Sequence, residues 1–101
     1  MEQLTTLTVI DFCIHTGIAE DELQEIVGLG IIQPIETTHE WLFDDQAVVI
    51  VRRAVRLYHE LEIDWPGIAM AMSLMDQNDR LRRENEMLRL QLKRFIGLVS
   101  Q

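Results

Sequence analysis

Acidic side chains are the chemically active groups that stand out in the first half of this chain. Residues 1–51 contain ten Asp and Glu and no Lys or Arg, whereas all nine Lys and Arg lie from Arg52 onward. The first half therefore carries −10, and the second half, with nine bases and seven acids, carries +2, which gives −8 in total. A charge this one-sided is typical of an interaction surface that recognises basic groups.

The other reactive residues do not indicate catalysis or metal binding. Cys13 is the single cysteine, and the three histidines are scattered, so the sequence offers no closed tetrahedral ligand set. The chain has no Gly-rich phosphate loop and no Ser or Cys nucleophile with a partnered base, and its acids fall at helix starts and in a loop. We predict a protein that is not an enzyme and that uses no cofactor and no metal.

Two short helices around a glycine are predicted in the acidic half. Thr8 and Asp11 fit a capping box at the start of the first helix, and Gly17 can supply the left-handed residue that ends it. The second helix is expected from about Ala19, because the three acids that follow favour the positive end of a helix dipole. Two short helices joined by a glycine turn are typical of a helix-turn-helix.

A small β wing and a third helix are predicted next. Residues 31–35 and 41–43 are apolar runs that flank the polar residues 36–40, which is the pattern of a hairpin. Asp44 is placed to cap a third helix that extends to about Leu61.

The last part of the chain carries a heptad pattern. Leucines and asparagines alternate spacings of four and three, which predicts a coiled coil and a homodimer. The seam runs through Leu74, Asn78, Leu81, Asn85, Leu88, Leu92, Phe95 and Val99. Of these, the predicted dimerisation residues are Leu74, Leu81, Asn85, Leu88, Leu92 and Phe95. Asp76 can also cap a new helix, so the segment after Pro66 is one helix or two. We divide the chain into a winged helix-turn-helix domain, residues 1–75, and a coiled-coil dimerisation helix, residues 76–101.

The order of these elements resembles the MerR-type winged helix-turn-helix regulators. Within that superfamily, several stretches resemble more specifically the CbpM family of chaperone modulators. They are residues 12–18, 25–30, 41–45, 52–57, 64–69 and 74–76. The resemblance implies a mainly α fold with a small β wing and a C-terminal coiled-coil helix, antiparallel if the MerR pattern holds. It also implies an inhibitor that binds the J-domain of a CbpA-type co-chaperone and competes with the chaperone DnaK.

The departures from DNA-binding MerR relatives agree with such a partner. Those relatives carry Arg and Tyr in the second helix and Arg in the wing, whereas this chain places acids there. Acids repel the phosphates of DNA, so we expect no direct nucleic-acid binding. J-domains use a basic helix to engage DnaK, and an acidic surface can occupy that helix. The candidate partner-binding residues are Glu20, Asp21, Glu25, Glu36, Glu40 and Trp41.

Two other functions stay open. A MerR-like transcription regulator with weak or partner-dependent DNA binding would use Arg52, Arg53 and Arg56. A purely structural dimerisation adaptor would need no specific client. For location we expect the cytoplasm and no membrane, because the chain starts without a secretory pattern and the uncharged residues 65–75 are too few to span a bilayer.

Overall fold

The structure is a computed structural model that describes residues 6–99. These residues form four helices and two short strands. In chain order they are β1 (Leu7–Thr8), α1 (Val9–Thr16), α2 (Glu20–Gly28), β2 (Leu42–Phe43), α3 (Asp45–Leu61) and α4 (Trp65–Val99). The predicted fold, mainly α with a small β element and a long C-terminal helix, is confirmed.

Local capping signals set the ends of α1. The Thr8 hydroxyl accepts a hydrogen bond from the backbone N–H of Asp11 at 3.3 Å, so Thr8 is the N-cap that the sequence predicts. Gly17 has φ of +78° and its N–H donates to the carbonyl of Cys13 at 2.8 Å. A residue with a side chain is strained at this φ, which is why glycine ends the helix.

Glu22 fixes the start of α2 to α4. Ala19, the N-cap residue, has no side-chain oxygen, and its N–H donates instead to Glu22 Oε1 at 3.1 Å. The other carboxylate oxygen, Oε2, accepts from the indole Nε1 of Trp65 at 3.3 Å. Trp65 is only 5% exposed, and its ring stacks on that of Tyr58 with centroids 4.6 Å apart. One half-buried acid therefore joins the helix-turn-helix to the base of the long helix.

The β element differs in detail from the predicted hairpin. β2 pairs antiparallel with β1, with Leu7 opposite Phe43 and Thr8 opposite Leu42. The predicted hairpin forms only at its tip, where the N–H of Ile35 donates to the carbonyl of Leu42 at 2.8 Å and the N–H of Leu42 donates to that of Glu36 at 3.2 Å.

The first arm of the predicted hairpin, residues 31–34, forms no ladder for a local reason. The N–H of Ile31 still donates to the carbonyl of Ile26 at the end of α2, and Ile32 turns into the core. Pro34 has no N–H to give to a ladder. The second arm, β2, therefore pairs with the segment before α1.

A single core holds these elements together. Its largest fully buried side chains come from α1, α2, β2, α3 and the first turn of α4. They are Phe12, Leu23, Ile26, Phe43, Val51 and Ile68. The rings of Phe12 and Phe43 lie with centroids 4.6 Å apart. This core fixes α2 and the wing relative to each other, and so it fixes the acids that they carry.

The fourth helix is one element of 35 residues. Trp65 and Ile68 in its first turn are buried, whereas every residue from Ser73 to Val99 is exposed. The helix runs through Asp76 without a break, which answers the question that the sequence left open. The Cα radius of gyration is 19.2 Å, against about 13 Å for a compact domain of 100 residues. Much of α4 therefore projects away from the core.

Candidate partner-binding surface

The outward face of α2 is acidic. Glu20 and Asp21 lie in its first turn, where the helix dipole stabilises negative charge, and Glu25 lies one turn further on. All three side chains are exposed, while Leu23 and Ile26 on the opposite face are buried. The amphipathic pattern of α2 therefore turns three of the predicted partner-binding residues to solvent.

A cavity lies between α2 and the wing. Its volume is about 360 Å³. The residues that line it are Val9, Glu20, Leu23, Gln24, Thr37, His39, Glu40 and Trp41. Three predicted partner-binding residues, Glu20, Glu40 and Trp41, are thus brought to one place although α2 and the wing are about twenty residues apart in the chain. Asp21, Glu25 and Glu36 do not line this cavity.

Trp41 is held by an aromatic neighbour. Its ring meets that of Phe43 edge to face, with centroids 6.2 Å apart and an angle of 85° between the planes. Phe43 is fully buried, so it anchors the indole, which is itself half-buried. An aromatic side chain that is anchored on one side and open on the other is typical of an interface residue.

Glu36 uses its carboxylate inside the wing. Its Oε1 accepts hydrogen bonds from the N–H of Thr37 at 2.9 Å and of Thr38 at 2.8 Å. Hydrogen bonds from the Thr38 side chain, and then from the Thr38 and Thr37 backbone, hold the pKa of Glu36 below its ordinary value. Because these bonds favour the charged form, Glu36 stabilises the turn that presents Glu40 and Trp41.

The first bases of the chain turn toward their own fold. Nε and Nη2 of Arg52 donate to the carbonyl of His15 at 3.2 and 3.0 Å, which satisfies a free carbonyl at the end of α1. Arg53 is half-buried, and its Nη2 lies 3.8 Å from Met75 Sδ. Arg56 is exposed. Of the three arginines in the alternative DNA-binding function, two are thus engaged within the chain.

Sequence reasoning missed the structural use of Glu22 and Arg52. Each makes its bond to a residue more than thirty positions away, Glu22 to Trp65 and Arg52 to His15. No local spacing predicts such pairs. The one available signal is that Glu22 lies three residues after Ala19, which lacks a capping oxygen, as in a capping box.

The structure offers no reactive centre at Cys13. Burial, and then the charges of Glu20 and Glu22, raise the pKa of its thiol, so the nucleophilic thiolate is disfavoured. Across residues 6–99 there is no group of three His, Cys, Asp or Glu arranged to hold a metal ion. Among the helices of the same residues, none is long and apolar enough to cross a membrane.

The predicted dimerisation residues lie exposed along α4. Spacings of three, four and seven place them on one face of a helix. Their exposed fractions are 58% for Leu74, 62% for Leu81, 62% for Leu88, 57% for Leu92 and 63% for Phe95, and Asn85 is exposed as well. Leucines this exposed leave apolar surface in water, which is the state expected of one half of a helix pair.

Comparison with known proteins first defines the class. The family model described as MerR HTH family regulatory protein matches residues 7–90. A crystal structure of a MerR-family transcriptional regulator from Bacillus cereus resembles this chain with a TM-score of 0.56, covering 95% of this chain and 76% of that one. The two sequences are 11% identical, so this likeness concerns the fold.

Closer relatives then define the family. The chaperone modulatory protein CbpM of Citrobacter koseri is 58% identical over 92 residues, which cover 90% of this chain and 91% of that protein. The CbpM of Escherichia coli O1:K1 / APEC is 55% identical over 93 residues, which cover 91% and 92%. The chain belongs to the CbpM family of chaperone modulatory proteins, within the MerR-type helix-turn-helix proteins. Both names describe regulators and not enzymes, and the family predicted from the sequence is confirmed.

Proposed function

We propose that this protein inhibits a J-domain co-chaperone of the CbpA type by binding its J-domain and competing with DnaK. A chaperone-modulating role follows from the family, whose members are named for it. The observation that carries the finer proposal is the exposed row of carboxylates on α2 and the wing, beside a half-buried tryptophan.

Charge complementarity supports the J-domain as the client. A J-domain presents a basic helix where it engages DnaK, and Glu20, Asp21 and Glu25 present the opposite charge. Opposite charges speed the encounter of two proteins and set their orientation. A protein that covers this basic helix leaves no room for DnaK, so inhibition needs no change in the shape of the J-domain.

We propose further that two copies act together in the cytoplasm. The exposed seam of α4 supports a homodimer through residues 76–101, with residues 1–75 left to hold the client. A second helix packed along the seam would remove its apolar side chains from water.

The alternative is a MerR-like transcription regulator that binds DNA weakly or with a partner. The fold likeness to the Bacillus cereus regulator and the exposed side chain of Arg56 favour it. Against it stand the ten carboxylates of the first half, because affinity for duplex DNA comes largely from Lys and Arg that displace counterions.

Two titrations separate these functions. Calorimetry with a purified CbpA-type J-domain is expected to show binding that weakens as salt rises, because exposed charges are screened over about 10 Å at 0.1 M. Fluorescence anisotropy with a labelled duplex at low and moderate salt is expected to show none. J-domain binding alone supports the modulator, and DNA binding alone supports the regulator. Binding to neither supports a structural adaptor.

A third measurement tests competition. DnaK hydrolyses ATP faster when a J-domain stimulates it, and this stimulation is expected to fall as the protein is added. More DnaK should restore it, since the two compete for one surface. Inhibition that excess DnaK leaves unchanged would contradict competition and would favour an allosteric effect on the J-domain.

A further inference from the structure

We propose that the cavity between α2 and the wing is a slot for one basic side chain of the partner, an arginine. In this slot the guanidinium would lie against the indole of Trp41 and between the carboxylates of Glu20 and Glu40. This proposal rests on the proposed function for the identity of the partner. It adds to that function the side chain that the acidic surface would recognise.

The walls of the cavity fit the two parts of an arginine. Leu23, 1% exposed, and the half-buried Val9 and Trp41 offer apolar surface for the methylene stem. Two exposed carboxylates that line the cavity, Glu20 from α2 and Glu40 from the wing, offer acceptors for the guanidinium. Long basic side chains bury their stems on apolar surface while the charged end stays at a polar rim.

The aromatic wall favours arginine among the basic side chains. A guanidinium is planar and stacks on an aromatic face, and tryptophan is the best partner for a cation above its ring. Trp41 is already positioned by its edge-to-face contact with Phe43, so it need not be ordered on binding. The wing that carries it is held by the Ile35–Leu42 bond and by the two amides bound to Glu36.

Charge selects against other occupants. In the part of the chain that the structure describes, no Lys or Arg lines the cavity. The nearest along the chain, Arg52, is bonded to the carbonyl of His15. An acidic side chain would be repelled by the two carboxylates. An apolar side chain would displace water from the carboxylates without giving them a hydrogen-bond partner, and that costs free energy. Among residues 6–99, His39 is the one other titratable group that lines the cavity, and in its charged form it would oppose a cation.

The slot is tested by nuclear magnetic resonance on the full chain. N-acetyl-arginine amide is titrated into the ¹⁵N-labelled protein, and N-acetyl-citrulline amide, which has nearly the same shape without the charge, is the matched ligand. The indole N–H signal of Trp41, assigned with Trp41→Phe, is expected to move and saturate with the arginine compound only. The indole N–H of Trp65 is an internal control, because it is buried and bonded to Glu22.

Charge-neutral variants locate the carboxylates. Glu20→Gln and Glu40→Gln are each expected to weaken arginine binding about two- to fivefold, the range for an exposed ion pair. Glu25→Gln removes the same charge from α2 outside the cavity and is expected to have little effect. An equal response to citrulline, or an equal loss with Glu25→Gln, would overturn the slot.

Calorimetry with the J-domain separates the slot from the proposed function. The double variant Glu20→Gln/Glu40→Gln, checked for folding by circular dichroism, is expected to lose about fivefold or more in J-domain affinity, because it removes both charged acceptors of the same guanidinium. A J-domain that binds the parent and the double variant equally would overturn the slot and leave the proposed function standing. Saturable arginine binding at Trp41 without any J-domain binding would overturn the proposed function and leave the slot.

Discussion

The acidic surface of α2 and the wing differs from the outer part of α4 in how far the apolar side chains are exposed to water. On α2, Leu23 and Ile26 face inward and are at most 1% exposed. The exposed side chains of α2 are Glu20, Asp21, Glu25 and the uncharged Gln24. On α4 the leucines of the seam are more than half exposed. The globular part covers most of its own apolar side chains, whereas the outer part of α4 leaves its leucines in contact with water. We therefore predict that charge directs the first surface to a client and that apolar area directs the second to another copy of the chain.

The largest expected effect comes from a charge placed in the seam. Leu88→Glu should shift a homodimer to monomer, with the dimer dissociation constant raised more than about 100-fold, because a buried and unpaired charge costs several kcal/mol. The matched control is Leu90→Glu, which adds the same charge to an equally exposed leucine off the seam, 56% exposed.

Sedimentation of parent and variants decides this difference. The control should stay dimeric at a concentration where Leu88→Glu is monomeric. A parent that is monomeric at micromolar concentration, or a dimer that tolerates Leu88→Glu, would remove the contrast between the two regions.

A smaller effect is expected from reversing the charge of α2. Glu20→Lys, Asp21→Lys and Glu25→Lys together should weaken J-domain binding about tenfold or more while the helical content stays the same. The association rate should fall more than the dissociation rate rises, because exposed charges chiefly steer encounter. Calorimetry and stopped-flow fluorescence measure the two.

The matched control for that variant lies on the other surface. Glu84→Lys with Glu86→Lys reverses exposed acids of α4 and should be much milder for the J-domain. If the α4 variant loses binding and the α2 variant keeps it, the client sits on the long helix and the assignment of the two regions is wrong.

Asp44 contrasts with the acids of α2, because its carboxylate caps a helix and is not one of the predicted partner-binding residues. Its Oδ1 accepts from the N–H of Ala47 at 3.0 Å and caps α3. Asp44→Ala should cost about 1 kcal/mol of stability and lower Tm by about 4–8 °C. Asp45→Ala, one residue further on, should cost less, since it loses only a favourable dipole contact.

Thermal unfolding followed by circular dichroism measures both Asp variants. J-domain affinity at 25 °C should be unchanged in each. If Asp44→Ala weakened the J-domain complex as the α2 reversal does, the capping acid would belong to the partner surface.

The smallest effect concerns the pH dependence of the wing. The pKa of Glu36 lies below its ordinary value of 4.5 because the charged form accepts three hydrogen bonds from Thr37 and Thr38. A lowered folded-state pKa means that this support is complete above the unfolded value and is lost as the pH falls through the folded one. The amide signals of Thr37 and Thr38 should therefore titrate with a midpoint below 4.5.

Two variants test the source of that titration. Glu36→Gln should abolish it and speed amide exchange of Thr38 at neutral pH, whereas Glu40→Gln should leave it unchanged. A midpoint at or above 4.5 in the parent would show that the turn does not favour the charged carboxylate.

The sequence predicts the parts of this fold that depend on neighbours in the chain. Thr8, Gly17 and Asp44 mark helix ends because caps act over three or four residues. The pairing of β1 with β2 escapes prediction, because it joins two-residue segments more than thirty positions apart. The unbroken run through Asp76 also escapes, since a capping residue inside a helical pattern allows either outcome.

The candidate site also has some features that the sequence predicts and others that it does not. The exposure of Glu20, Asp21 and Glu25 follows from the helical pattern of α2, in which Leu23 and Ile26 face the core. The helical pattern does not predict how near these acids lie to the wing. The packing of the core, and not the local sequence, places Glu40 and Trp41 beside α2. Homodimer, client and domain division stay predictions that the experiments above address.

The unbroken α4 also sets a length. At 1.5 Å per residue its 35 residues extend for about 52 Å, with the acidic surface near one end only. In a pair joined along the seam, the direction of the helices would therefore fix the spacing of two client sites, close together if parallel and far apart if antiparallel. That spacing decides whether the two client sites can bind two J-domains of one dimeric co-chaperone at the same time. Binding through both sites raises the overall affinity only when the geometry lets both engage. The length of the helix would then determine which clients bind through both sites, according to the distance between their J-domains.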